Sequence, residues 1–255
     1  MHSLRFTTET SSAGVVERDF TVGEVPGVLW SPVSGSKNAP LILLGHTGGL
    51  DKRTPGILAR ARRYVTDRGF TVAAIDAPGH GDRPRTAQDE RARIAIPQAR
   101  AAGEPIGPII AEYNAALAER AVPDWQATLD ALQALPEIGA EAPIGYGGTT
   151  LGTVIGLSLA AVEPRITAAV FGAPLVYEAL TEAARLVTIP ILFLLPWDDA
   201  EIDRRSGLAL FDALASEEKT LHANPGGHHQ IPRFEIEHEV GFYARHLGRP
   251  ATSAA

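Results

Sequence analysis

Short apolar runs alternate with helical patterns along most of this chain. Pro40 precedes the first run and fits only the start of a strand. The runs are apolar at successive positions, as in strands that are covered on both faces, so they predict a mostly parallel sheet. These runs are residues 41–45, 71–75, 142–146, 166–171 and 190–195.

Helical spacing of apolar residues fills most of the intervals between these runs. The clearest case is 54–68, where Ile57, Ala61 and Val65 fall on one face and Gly69 ends the helix. Strands that alternate with helices predict an α/β fold with helices on both faces of the sheet. We expect antiparallel edge strands within 15–30. The other predicted helices are 124–135, 152–161, 179–186, 206–216 and 234–247.

The stretch 83–121 departs from this alternation. It is polar and rich in Ala and Arg, and we interpret Pro97, Pro105 and Pro108 as breaks in it. A connection of this length is unusual in a compact domain and is often functional. We therefore interpret 83–121 as a lid insertion over a site at the carboxyl ends of the strands, within a single domain that spans 1–255. Two surface helices without that role are the alternative.

Composition and charge narrow the function classes. The chain has 255 residues, no cysteine and a formal net charge of −7. The acidic balance argues against binding to nucleic acid, and the absence of cysteine excludes disulfides, thiolate catalysis and iron–sulfur clusters. No apolar run is long enough for a membrane helix and no targeting segment is recognisable. We expect a cytoplasmic protein without membrane contact, and a frayed tail over 249–255.

The most informative motif is Gly148-Thr149-Thr150-Leu151-Gly152, between a predicted strand and a predicted helix. This is the spacing of a nucleophile elbow, in which a sharp turn exposes the central side chain and small residues on either side let strand and helix approach closely. The central residue is Thr150 rather than serine. A β-branched residue is strained in that backbone conformation, by on the order of 1–3 kcal/mol, and its retention favours a role for the hydroxyl. The alternative is a helix-capping Thr in a protein that has lost the chemistry.

An acid and a histidine follow the motif in the order that this chemistry requires. Asp199 comes just after the apolar run 190–195, and Asp198 is the fallback for the orienting carboxylate. His228 follows the Pro-Gly-Gly loop after the last strand and is the candidate base, whereas His229 is interpreted as a flanking surface residue.

An oxyanion hole requires two backbone N–H groups. We assign these to Leu151 and to Thr47, with Gly48 as the alternative to Thr47 and as a substrate-binding residue. His46 is interpreted as structural and His80 as part of a turn. Trp197 is a candidate for the substrate pocket.

These motifs resemble the α/β-hydrolase superfamily, nearest to its dienelactone-hydrolase-like and small esterase branches. The resemblance covers about 41–247 and also includes the strand-end segments 41–49 and 76–81. It implies an eight-stranded, mostly parallel sheet, a triad of Thr150, Asp199 and His228, and no cofactor. Plant carboxylesterase-like dehydratases are similar in carrying Thr at the elbow.

Three functions follow from these observations. The first is a hydrolase of a small carboxylic ester or lactone, acting through an acyl-enzyme on Thr150. The second is a lyase or dehydratase that uses the same site without acylation, and the third is a non-catalytic binding protein. The expected partner is a small-molecule substrate, and a homodimer is left open. No metal site is assigned, because the spacing lacks an HExxH-type pattern. We interpret the polar cluster His222, His228, His229, Glu235, Glu237 and His238 as a loop and an exposed helix face.

Overall fold

The structure is a computed structural model, and it describes residues 3–35, 38–172, 174–228 and 230–248. Nine strands form one sheet in the order β1-β2-β3-β5-β4-β6-β7-β8-β9 within this part of the chain. They are β1 (Leu4–Ser12), β2 (Val15–Val22), β3 (Val25–Pro32), β4 (Leu41–Gly45), β5 (Thr71–Ile75), β6 (Ile144–Thr149), β7 (Ile166–Gly172), β8 (Ile191–Pro196) and β9 (Lys219–Asn224).

The sheet combines an antiparallel edge with a parallel centre. Strands β1, β2 and β3 pair in antiparallel fashion, β3 joins β5 the same way, and the other pairings are parallel. The α/β prediction is therefore confirmed, but the described residues form nine strands instead of the expected eight. Most side chains of β1 are exposed, so this strand lacks the alternation that predicts strands from sequence.

Seven helices connect the strands in the described residues, and the predicted helix at 54–68 is confirmed as α1. It starts with a Pro in its first turn and ends at Gly69, whose φ of 62° is left-handed. The helices are α1 (Pro55–Arg68), α2 (Ala87–Ala102), α3 (Gly107–Gln133), α4 (Leu151–Ala160), α5 (Glu178–Ala184), α6 (Arg204–Ala213) and α7 (Glu235–His246).

The insertion consists of α2 and the first half of α3. Pro97 lies inside α2 and Pro123 lies inside α3, so neither ends its helix, and the predicted helix 124–135 is only the second half of α3. Pro108 occupies the first turn of α3, where a missing N–H is harmless. An internal Pro costs a helix about 3 kcal/mol. Burial of apolar residues on both sides of Pro123, among them Leu117 and Trp125, offsets that cost.

The core lies on both faces of the sheet, as predicted for strands covered on two sides. Neighbouring residues of β4 contribute to opposite faces, since Leu43 packs with α3 and α4 whereas Ile42 packs with α1 and α7. The carboxyl ends of the parallel strands therefore meet at one edge, where their loops are available for a site. Among the described helices, none has the length and apolar character required to cross a membrane.

A buried ion pair joins the loops that follow β4 and β5. The Lys52 ammonium lies 2.7 Å from a carboxylate oxygen of Asp76 and 2.6 Å from one of Asp82. Asp76 is fully buried and also accepts the backbone N–H groups of Lys52 and Asp82. Burial alone would lower the pKa of Lys52, but hydrogen bonds to the two carboxylates outweigh it and raise the pKa.

We expect Lys52→Met to lower the free energy of unfolding by about 3–5 kcal/mol, because it leaves the buried Asp76 carboxylate without its cation. Urea denaturation at neutral pH measures this loss. The matched control is Asp82→Asn, since the Asp82 side chain is 78% exposed and its removal is expected to cost less than about 1 kcal/mol. Equal losses in the two variants would contradict the assignment of Asp76–Lys52 as the stabilising pair.

A second ion pair joins the two helices of the insertion. The buried carboxylate of Asp89, on α2, lies 2.7 Å from the Arg120 guanidinium on α3 and forms a capping box with Thr86. Asp89 also lies against Gly79 in the loop after β5, where an added Cβ would come within 2.7 Å of the carboxyl carbon. Burial opposes ionisation, but hydrogen bonds from Arg120 and Thr86 lower the pKa of Asp89 to about 2.

This depressed pKa gives a pH-dependent stability. The unfolded chain binds a proton at Asp89 near pH 3.8 and the folded chain only near pH 2, so the contribution is present above pH 3.8 and is lost as the pH falls toward 2. We expect Asp89→Asn to lower the free energy of unfolding by about 2 kcal/mol at pH 7.

Denaturation of the native protein and of Asp89→Asn between pH 7 and pH 3 tests this expectation. The difference between their free energies of unfolding should narrow below pH 4. The control is Glu90→Gln in the same helical turn, whose carboxylate is half exposed. A difference in free energy of unfolding that stays constant with pH would show that the Asp89 charge does not stabilise the fold.

Candidate active site

Thr150 sits in a strained backbone turn between β6 and α4. Its φ is 53° and its ψ is −114°, a region that a β-branched residue rarely adopts. The Thr150 N–H donates to the Gly172 carbonyl at 2.8 Å. The Thr153 hydroxyl lies within 2.8 Å of the carbonyls of Gly148 and Gly172 and accepts the Gly172 N–H. These contacts anchor the turn to β7 and hold Thr150 in its unusual conformation.

The glycines of the motif are required by close packing. A Cβ on Gly148 would lie 2.5 Å from the carbonyl carbon of Gly152, and a Cβ on Gly152 would lie 2.4 Å from the Gly45 carbonyl oxygen. Such distances do not occur between real atoms, so β4, β6 and α4 approach this closely only because these positions lack side chains. The elbow geometry that the spacing predicts is present.

The Thr150 hydroxyl is buried and has no hydrogen-bond partner among the described residues. A buried polar atom without a partner is unusual and calls for an explanation. Thr150 also lines a cavity of about 420 Å³ at the carboxyl ends of the strands, together with His228. Thr150 is therefore part of the cavity wall, with a hydroxyl left unpartnered by the part of the chain that the structure describes.

Asp199 and His228 form a hydrogen-bonded pair beside this cavity. The Nδ1 atom of His228 lies 2.8 Å from Oδ2 of Asp199, whose side chain is only 3% exposed. The other oxygen of Asp199 accepts the backbone N–H groups of Glu201 and Ile202. With Nδ1 donating to the carboxylate, Nε2 of His228 is left as the basic nitrogen.

Asp198, the fallback for this role, points elsewhere. Its carboxylate accepts the N–H of Gly226 at 3.1 Å, and its own N–H donates to the Gly226 carbonyl at 3.0 Å. Asp198 thus connects the β8 loop to the loop that carries His228. His229, interpreted as a flanking residue, lies outside the described residues.

The loop after β4 borders the same cavity. Thr47, Gly48 and Leu151, all named from the sequence, contribute to its lining. His46 braces this loop, since Nδ1 donates to the Thr47 carbonyl at 2.9 Å and Nε2 accepts the Ala77 N–H at 3.0 Å. Burial lowers the pKa of His46, which favours the neutral ring that this pattern of one donor and one acceptor requires.

Trp197, proposed from the sequence as a pocket residue, lies away from the described cavity lining. Its ring is 42% exposed, and the Arg204 guanidinium stacks over it at 4.1 Å. The turn after β8 carries Trp197 outward as it brings Asp199 inward.

The insertion supplies lining residues that sequence reasoning missed. Tyr113 contributes from α3, and burial together with the nearby Asp89 carboxylate raises its pKa to about 12. His80, interpreted only as part of a turn, also lines the cavity, and its Nδ1 lies 3.0 Å from the Pro78 carbonyl. No local signal marks Tyr113, because its place depends on how α3 packs. The remaining contributions from the insertion are Arg85, Ala92, Arg93, Ile96, Pro97, Ile106, Ile110 and Asn114.

Comparisons with known proteins find similarity to solved structures. No protein-family model matches the chain, and no curated protein matches it. A solved cold-adapted esterase from an Arctic intertidal metagenomic library, described as a PEG-bound complex, is 34% identical with a TM-score of 0.75, covering 94% of this chain and 97% of that one.

Two further structures are similar. A zinc-bound structure of the Arctic esterase gives 31% identity and a TM-score of 0.70, covering 95% of this chain and 99% of that one. The dienelactone hydrolase from Anabaena variabilis is 17% identical with a TM-score of 0.65, over 94% and 98% of the two chains, and shows likeness of fold alone.

The identity to the Arctic esterase extends over nearly the whole of both chains. This chain belongs to the esterases of the α/β-hydrolase fold and is a carboxylic-ester-hydrolase-like enzyme.

Proposed function

We propose that this enzyme hydrolyses a small carboxylic ester or lactone through an acyl-enzyme on Thr150. The observation that carries the proposal is the Thr150 hydroxyl, which is buried, unpartnered among the described residues and held in a strained turn that lines the same cavity as His228. A fold that used Thr150 only as a cap would satisfy the hydroxyl locally. Its side chain makes no capping hydrogen bond to α4.

In the first half of the reaction, Nε2 of His228 takes the hydroxyl proton as Thr150 Oγ1 attacks the carbonyl carbon of the substrate. The Asp199 carboxylate fixes the ring orientation and stabilises the imidazolium that forms. The backbone N–H groups of Thr47 and Leu151 stabilise the oxyanion of the tetrahedral intermediate. His228 then gives the proton to the alkoxide oxygen as it departs as an alcohol. The acyl group stays on Thr150 as an ester.

In the second half, His228 removes a proton from water, which attacks the acyl carbonyl. The same N–H groups stabilise the second oxyanion, and the proton on His228 passes to Thr150 Oγ1 as the acid leaves. Thr150 has a secondary hydroxyl with an adjacent methyl group. This extra bulk hinders attack relative to serine and restricts the acyl groups that fit at the elbow.

The cavity supports a small substrate. Its volume of about 420 Å³ lies near the lower end of the range for small-molecule sites. Ile96, Ile106, Ile110 and Leu175 give it apolar walls, and Arg85 and Arg93 add positive charge on the side of α2. In this proposal helices α2 and α3 act as a lid, and their residues determine which esters enter.

We expect Thr150→Ala and His228→Ala each to lower kcat for p-nitrophenyl acetate and butyrate by about 10³-fold or more, because each removes a member of the triad. Release of p-nitrophenol measures the rate. The matched control is Thr149→Ala, the adjacent threonine, which does not line this cavity and should change kcat by less than about threefold. Turnover that persists in Thr150→Ala would overturn the acyl-enzyme proposal.

We expect Thr150→Ser to keep kcat/KM or raise it by up to about tenfold, because serine presents the same hydroxyl without the hindering methyl group. A quenched-flow experiment with p-nitrophenyl acetate should also show a burst of p-nitrophenol as the acyl-enzyme accumulates. If Thr150 only positions a substrate for elimination, Thr150→Ser should show neither a burst of p-nitrophenol nor ester turnover.

A further inference from the structure

A second cluster of titratable side chains lies on β9 and α7, apart from the Asp199–His228 pair. His222 Nδ1 lies 2.8 Å from Oε2 of Glu235, and His238 Nδ1 lies 3.0 Å from the same oxygen. Asn224 donates to the other oxygen of Glu235 at 2.7 Å. Two imidazole nitrogens and one carboxylate oxygen therefore converge on one point.

The cluster combines a buried carboxylate with two partly exposed imidazoles. Glu235 is 1% exposed, so its carboxylate is fixed by the fold, whereas the side chains of His222 and His238 are 29% and 51% exposed. The Glu235 carboxylate faces the two rings from the protein side, and solvent reaches the rings from the other side.

The spacing suits a transition-metal ion. One ligand atom from each of His222, Glu235 and His238 lies within 4.8 Å of the other two. Bond lengths of about 2.0–2.1 Å in a tetrahedral zinc site place neighbouring ligand atoms about 3.3 Å apart. Opening the present contacts of 2.8 and 3.0 Å by a few tenths of an ångström would reach that distance.

We propose that His222, Glu235 and His238 form a binding site for a divalent ion of the zinc class, with water as the fourth ligand. Each imidazole coordinates through Nδ1 and carries its proton on Nε2, so that its present hydrogen bond to Glu235 is replaced by a bond to the metal. Two nitrogens and one oxygen favour zinc, nickel or copper over magnesium and calcium, which prefer oxygen ligands. Asn224 holds the outer oxygen of the carboxylate and orients it, as partners of metal ligands do.

The position of the site in the chain gives it a role. His222 is on β9 and the other two ligands are on α7, and the connection between these elements carries His228. A metal ion would tie both ends of that connection together across the strand and the helix. Of the other described members of the polar cluster, His228 pairs with Asp199 and Glu237 lies 3.5 Å from Arg63, so neither takes part. Sequence spacing did not show the site, since its ligands come from two elements.

Titration of untagged protein with Zn²⁺, followed by calorimetry, tests the proposal, and Mg²⁺ serves as the control ion. We expect one equivalent of Zn²⁺ to bind and to raise Tm by about 5 °C at a hundredfold excess over Kd. Co²⁺ bound there should show the stronger visible absorption of a four-coordinate ion. These readouts do not depend on ester turnover, so they test the metal site independently of the proposed function.

Four variants assign the ligands. His222→Gln and His238→Gln should each weaken Zn²⁺ binding by about 30-fold or more and remove the Tm shift. His246→Gln, on α7 but outside the cluster, and His228→Ala should leave Kd within about threefold of the native value. His238 is half exposed, so its variant is expected to fold, and the Tm without metal confirms this.

Two results would overturn the proposal. One is the absence of binding at about 1 mM free Zn²⁺. The other is binding that His228→Ala abolishes but the two Gln variants leave unchanged, because the ion would then sit at the catalytic histidine.

Discussion

The backbone conformation of Thr150 is the constraint on which the site depends. A β-branched residue at a φ of 53° is unfavourable by itself, on the order of 1–3 kcal/mol. It persists because Gly148 and Gly152 let strand and helix approach to a distance that admits no side chain, and because Thr153 hydrogen-bonds both sides of the turn. Packing and hydrogen bonds around the sheet hold this turn, and the turn places Thr150 in the wall of the cavity.

Charged groups hold the surrounding loops at the same edge of the sheet. The Asp76–Lys52 pair ties the loop after β4 to the loop after β5. Asp89 fixes the insertion over the second of these loops, and Asp199 fixes the ring of His228. Each carboxylate is buried and fully hydrogen-bonded, which is how a buried charge is tolerated. The loops that form the cavity are therefore positioned by electrostatics, on strands that are positioned by apolar packing.

The parts that sequence reasoning missed share one physical cause. The sequence predicts a break at Pro97 and a separate helix at 124–135, but Pro97 and Pro123 both lie inside helices because buried apolar residues on either side outweigh the local cost. Tyr113 lines the cavity because α3 packs across it. The sequence did not predict strand β1, because most of its side chains are exposed and its apolar residues do not alternate with polar ones. In each case the deciding contact joins residues that are distant in the chain.

The sequence by itself determined the α/β class, the central parallel strands and the elbow, because these depend on local apolar runs and on glycines at fixed spacing. It also placed Thr150, Asp199 and His228 in the order of a catalytic triad. Only the tertiary structure decided that Asp199 rather than Asp198 contacts His228, that Trp197 lies outside the described cavity lining, and that His222 and His238 meet at Glu235. These outcomes depend on the path of loops and on the packing of separate elements, which no local pattern encodes.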